Sequence, residues 1–298
     1  NPNAIFTSES QSPESYTITW VLEPTETDED GNLIANEACS PTYEALDVVF
    51  EGCIALDFDG IDDYIDLSET YPGNYSLEAW IRPEASTGTI ISGPNFEINM
   101  VNLPGGINAN SRWYHIAISG GKIYIDGIDM GNFNSTHTGN KTLIGARWNA
   151  DIKEAENHFS GWIEEVRIWD TAISVDQIRF MMNQRLYNNG TQMGVEIPMN
   201  GPNGLSYTNL AGYYQLLADP ALVANGTTPD LALNSIPGRL VNMETFQENT
   251  APLPYTSRID GQNWATDNTW THFNVWDAPN SNGINGAPID WNIVRTSH

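Results

Sequence analysis

Ala55-Leu56-Asp57-Phe58-Asp59-Gly60-Ile61-Asp62-Asp63-Tyr64-Ile65-Asp66 alternates apolar and acidic residues on both sides of an Asp-Gly step. Alternation with period two is the pattern of half-buried β-strands. Gly60 suits the left-handed backbone of a tight turn or bulge. Five carboxylates this close together repel unless water, a cation or a basic partner screens them. The stretch therefore predicts two strand segments and a candidate metal position at once.

Downstream, the same short strand signals recur to about residue 173. Tyr75–Arg82 ends at Pro83, and Thr89–Ser92 and Phe96–Val101 follow. Trp113–Ser119 runs into Gly120-Gly121, a two-glycine hairpin signal, and Lys122–Asp126 returns from it. Thr142–Arg147 and Gly161–Asp170 complete the series. Short strands at this spacing, without helices between them, predict an all-β antiparallel sandwich. One helix follows the last strand. Ser174 and Gln177 form a capping box, Val175, Ile178, Met182 and Leu186 share one face, and Asn188-Asn189-Gly190 stops it. Residues 1–53 hold too few strands for a core and read as the end of a preceding β domain or an arm. Residues 54–187 form the sandwich. Residues 188–298, rich in Asn, Pro and Gly, read as an irregular β region leading into a following domain.

Acidic side chains outnumber basic ones 38 to 12, a formal net charge of −26. Nucleic acid and anionic membranes would be repelled, whereas calcium and cationic surfaces would be attracted. No apolar run approaches the ~20 residues of a membrane span. The ten Trp, with abundant Tyr, Asn and Asp, are the side chains of sugar-binding surfaces and equally of any turn-rich β protein. Cys39 and Cys53 flank a short segment, and their spacing permits a disulfide loop in an oxidising, extracellular setting. The chain begins at Asn1 without an initiator Met and reads as a piece of something longer.

The centre of the chain resembles the laminin-G-like, concanavalin A-like jelly rolls of bacterial surface proteins. The matching segments are Ala55–Gly60 with Asp63-Tyr64-Ile65, Tyr75–Pro83, Trp113–Ala117 and Ser160–Asp170 leading into Ala172-Ile173-Ser174. That resemblance implies the sandwich fold, with first and last strands adjacent, and often a structural calcium ion. It would bring Asp59, Asp62 and Asp63 near Glu164, which stands where the family usually has Asp. In the tail, Gly212–Gln215, Leu240–Met243, Thr250–Thr256, Val275-Trp276-Asp277 and Ile289–Val294 resemble segments of giant Bacteroidota gliding-motility adhesins of the SprB type, exported by type IX secretion. This implies one module of an extracellular, cell-surface adhesin, with glycans or other outer-membrane surface proteins as partners. The alternatives are a carbohydrate-binding accessory of a secreted polysaccharide-degrading enzyme and a docking module for another surface protein.

Three further sites are legible. Glu26, Asp28, Asp30, Asn32 and Glu37 follow the oxygen spacing of an EF-hand calcium loop, although Pro24 follows a strand and a hairpin turn at Asp30-Gly31 is the simpler account. Trp148, Asn149, Asp151 and His158 lie in a polar loop before the closing strand, where lectins of the resembled fold carry sugar contacts. Trp264, Trp270 and Trp276 could stack on sugar rings or pack in a core. Catalysis is not expected. Glycanases of this kind need acid and base carboxylates on one strand face, but Glu164 and Glu165 are adjacent and predicted to face opposite ways. Asp57 and Asp59 do share a face, on a strand that reads as an edge.

Overall fold

The computed structural model describes residues 14–22, 25–35, 42–50, 55–67, 71, 75–190, 192–217, 226–233, 236–247, 249–257, 263–266, 269–271 and 278–296. Cys39, Cys53, Glu37 and Trp276 lie outside the described residues, so the disulfide expectation does too. The chain packs as two units, 1–53 and 54–298. In the first, strands Glu14–Leu22 and Thr42–Phe50 pair antiparallel, and Thr25–Thr27 pairs with Leu33–Ala35 as a hairpin.

The second unit, among its described residues, is built on two large antiparallel sheets, beside the two-stranded pairs Arg147–Asn149 with Glu154–Glu156, Leu186–Asn189 with Gln192–Gly194, and the parallel Tyr255–Thr256 with Val294–Arg295. Among the described residues, one sheet has eight strands. Across it run Ile128–Asn132, Lys122–Ile125, Tyr114–Ser119, Ser76–Pro83, Ser160–Trp169, Ala55–Asp59 and Phe246–Gln247, and Leu210–Tyr214 pairs along the far half of Ser160–Trp169. The other has six, in the order Thr227–Thr228, Gly238–Val241, Tyr64–Leu67, Thr142–Ile144, Thr89–Gly93 and Phe96–Asn99. Alternate residues of both sheets meet in one core that includes Phe58, Ile65, Ile81, Ile91, Ile116, Ile144 and Ile163. At the Gly120-Gly121 turn, Ser119 pairs with Lys122 and both glycines have positive φ, as the hairpin signal requires.

The opening stretch is not a hairpin. Ala55–Asp59 joins the eight-stranded sheet and Tyr64–Leu67 the six-stranded one, so Gly60–Asp63 crosses between sheets. The first and last strands are neighbours, with Asp59 opposite Ser160 and Asp57 opposite Trp162. Ala55–Asp59 is no edge, because Phe246–Gln247 pairs along its other side.

The stretch beyond residue 188 enters both sheets, through Leu210–Tyr214, Thr227–Thr228, Gly238–Val241 and Phe246–Gln247. It also covers the outer face of the eight-stranded sheet. One apolar cluster there joins Ala117, Tyr124 and Trp169 to Ile173, Ile178, Met181 and Tyr213. A second joins Trp80 and Trp113 to Met182, Ala251, Tyr255 and Trp270. The helix spans Val175–Met181 with its capping box made: Ser174 N donates to Gln177 Oε1 (2.6 Å) and Gln177 N to Ser174 Oγ (3.3 Å). It ends a turn earlier than its apolar spacing predicts. Arg167 of the sheet donates to the carbonyls of Met181 (3.0 Å) and Gln184 (2.7 Å), and Trp80 donates to that of Met182 (2.6 Å). Sheet side chains thus satisfy carbonyls that further helix would have used. No helix of the described residues is long and apolar enough to cross a membrane.

Candidate functional site

Glu164 and Glu165 occupy a bulge in the closing strand, where register slips between Glu164 and Arg167 and Glu165 has φ +53°. The extra residue turns both carboxylates to the covered face instead of to opposite faces. Glu164 accepts from Gln247 Nε2 (2.7 Å) and Ala251 N (3.1 Å). Burial pushes its carboxyl up to about 8. Glu165 accepts from Arg167 (2.5 Å) and from the Tyr213 hydroxyl (2.8 Å). Arg167 also donates to Glu78 (3.2 Å), as does the Trp169 indole (3.2 Å). Burial alone would raise Glu78, but Arg167, with His115 and Trp169, holds it below its ordinary value. All three carboxylates and Arg167 are sealed from water. This face cannot admit a polysaccharide, and its charges knit the helix and tail to the sheet.

The acidic loop is elsewhere. Ligand oxygens of Asp59, Asp62 and Asp63 lie within 4.8 Å of one another. Glu164 does not join them: four residues separate it from Ser160, the partner of Asp59, which is about 13 Å along a strand. Asp59 Oδ1 accepts the amides of Ile61 (2.7 Å) and Asp62 (3.3 Å), and Asp63 Oδ2 accepts that of Asp59 (3.0 Å). Burial, reinforced by the charges of Asp59, Asp62 and Asp57, pushes Asp63 up to about 6 against the amide bond that opposes it. The donors are hard oxygens with lone pairs left over, the chemistry calcium takes. In the first unit, Asp28 turns its carboxylate onto its own hairpin, accepting from Asp30 N (3.0 Å) and Asn32 N (2.8 Å). The bond from Asn32 holds Asp28 below its ordinary value. Glu26 is exposed on the strand before it.

The polar loop before the closing strand makes a small hairpin, Arg147–Asn149 against Glu154–Glu156. Beside it is an open polar hollow of about 480 Å³, lined by His137, Arg147, Trp148, Asn149, Asp151 and Glu156 among others. Three of the four expected residues meet here. His158 does not; its Nδ1 lies 3.1 Å from the Asp63 carbonyl, on the acidic-loop side. Within the hollow, Glu156 accepts from Arg147 Nε (2.8 Å) and Asn149 Nδ2 (3.2 Å). The bond from Asn149, with Arg147 beside it, keeps Glu156 below its ordinary value, hence ionised. Arg147 also faces Glu97 at 3.6 Å. His137 Nε2 meets the Trp148 carbonyl at 3.0 Å. Gly139 permits that approach, since a Cβ there would sit 2.1 Å from His137 Nε2 and 2.6 Å from the Trp148 oxygen. The Lys141 ammonium stands 4.0 Å over the Trp148 ring and bonds Asp66 at 3.0 Å.

Sequence reading missed His137, Arg147 and Glu156. Arg147 and Glu156 carried a local signal, two three-residue strands around a tight polar turn, whereas His137 arrives only through tertiary packing. Of the spaced tryptophans, Trp270 is buried and packs edge-on to Trp264 at 4.8 Å, and Trp264 remains 45% exposed.

Residues 91–179 match the family model Laminin_G_3, described as the concanavalin A-like lectin/glucanases superfamily. Among solved structures, the chain is similar to one provisionally described as a carbohydrate binding protein from Bacteroides ovatus, at 16% identity and a TM-score of 0.44, covering 80% of this chain and 70% of that one. The curated proteins gave no match. Two large antiparallel sheets make the second unit a β-sandwich, and its residues 91–179 are similar to the concanavalin A-like lectin/glucanases superfamily.

Proposed function

We propose that the chain is a non-enzymatic carbohydrate-binding module. The observation that carries this is the polar hollow, which gathers Arg147, Trp148, Asn149, Asp151 and Glu156 at the surface. Its volume lies in the range of small-ligand sites, and it falls inside the segment matched to a lectin and glucanase superfamily. A binding reading is favoured over catalysis because Glu78, Glu164 and Glu165 are buried beneath the tail. A glycan array should register binding that Asn149→Ala weakens, and a reducing-end assay on bound polysaccharides should register no cleavage. Cleavage abolished by a carboxylate substitution would overturn the non-enzymatic reading.

In this reading the module belongs to a large secreted cell-surface adhesin acting in attachment or gliding. The support is the likeness of the tail segments noted above. A catalytic domain on the same full-length reading frame would instead make it an enzyme accessory. Calcium is a structural ion in this reading, held by Asp59, Asp62 and Asp63 and supplying charge neutralisation where the chain crosses between sheets. Calcium at a hundred times its Kd would stabilise by about 2.7 kcal/mol. A melting temperature unchanged by chelator would count against the site.

A further inference from the structure

Resting on the carbohydrate reading of the hollow, we infer that it selects a neutral sugar, reading adjacent hydroxyls through Glu156, Asn149 and Arg147 and not by stacking on Trp148. Four observations converge on this.

First, no cation of the lining carries uncompensated charge for an anionic sugar, although the guanidinium keeps N–H groups to donate. Only Arg147 and His137 are basic there. The guanidinium already serves Glu156 at 2.8 Å and Glu97 at 3.6 Å, and the His137 Nε2 is engaged with the Trp148 carbonyl. Lys141 is held by Asp66, and Lys153 is on the same loop but outside the lining. Second, Glu156 and Asp151 put acceptor-only groups into the hollow. A uronate or sulfate also only accepts, so it would meet them in repulsion, within a chain whose net charge is −26. Third, the array alternates donors and acceptors. Each Glu156 oxygen accepts one protein hydrogen bond and keeps a lone pair, while the Asn149 amide and Arg147 supply N–H groups beside them. A hydroxyl both donates and accepts, so two neighbouring hydroxyls can bridge carboxylate and guanidinium together. Fourth, one face of the Trp148 ring is covered by Lys141 at 4.0 Å, and the ring is itself only partly exposed. That face of the ring is therefore engaged by a cation.

The test is a glycan array carrying neutral, uronate-bearing and sulfated oligosaccharides, followed by calorimetry with the best ligand on the whole chain. The expected result is a neutral ligand, affinity changing less than twofold between 50 and 500 mM NaCl, at least a tenfold loss in Glu156→Gln and in Asn149→Ala, and less than threefold loss in Trp148→Phe and Trp148→Leu. The two hollow variants should melt like the parent, and Asn149→Ala carries the test if Glu156→Gln does not. Preference for uronates or sulfates with affinity collapsing in salt overturns the inference and leaves the carbohydrate reading standing. So does loss of binding in Trp148→Leu with Glu156→Gln and Asn149→Ala unaffected. Absence of binding to every class overturns both.

Discussion

Glu164→Gln should stabilise the chain in proportion to pH. The folded carboxyl, fully buried and pushed up to about 8, keeps its proton at neutral pH, while in the unfolded chain it ionises near its ordinary value of 4.5. Between those values the unfolded state binds fewer protons, so stability falls as pH rises, most steeply from 4.5 to 8, and levels off above. At 1.36 kcal/mol per unit, holding that proton to pH 7 costs the native state about 3 kcal/mol. Glutamine removes the titration and keeps the contacts. Its oxygen accepts from Ala251 N, and its amide donates to the Gln247 oxygen, which is buried without a partner while the Gln247 nitrogen donates. Reversing that amide lets the protonated Glu164, or its glutamine replacement, complete the pair. Urea unfolding of both proteins at pH 4.5, 6, 7 and 8.5 isolates this group, since all other titrations cancel in the difference. The gain should be near zero at pH 4.5 and about 2–3 kcal/mol at pH 7. Parallel profiles across that range would refute the argument, and would mean that Glu164 is ionised in the fold.

Arg167→Met should destabilise by about 3–5 kcal/mol, because it removes the guanidinium that Glu78 and Glu165 share in a sealed site and leaves only His115 at 3.5 Å and Arg185 at 3.8 Å beside them; chemical denaturation reads this directly, and a loss under ~1 kcal/mol would count against the network. Gly161→Ala should cost more than ~1 kcal/mol, since φ is +128° and the new Cβ would lie 2.3 Å from the Arg82 carbonyl oxygen; an unchanged thermal midpoint would contradict it. Trp270→Ala should cost about 3–5 kcal/mol and Trp264→Ala much less, as only the first ring is fully buried; equal losses would show that both rings are core.

The alternation from Ala55 to Asp66, the Gly120-Gly121 turn and the Ser174–Gln177 box were legible because each is a local preference of a few residues. The helix was overextended because its end is set by Arg167 and Trp80, distant in the chain. The candidate hollow was half legible: Trp148, Asn149 and Asp151 lie together in one loop, so their neighbourhood follows from covalent spacing, whereas His137 comes from elsewhere. His158 fell on the wrong side because pairing decides where a loop's flank points. The expected Asp59–Glu164 contact failed on register, since adjacency of two strands leaves open which residues face each other.

Composition and periodicity determined an antiparallel all-β sandwich, because side-chain alternation against a buried core is a property of each strand alone, whereas the adjacency of its first and last strands was implied only by the family resemblance. Only tertiary structure decided what became of the acidic residues. A one-residue bulge turned Glu164 and Glu165 to the same face, the tail closed over them, and packing drew the crossing loop of Asp59, Asp62 and Asp63 away from both. Such outcomes depend on register and on contacts between residues far apart in the chain, where no local pattern acts.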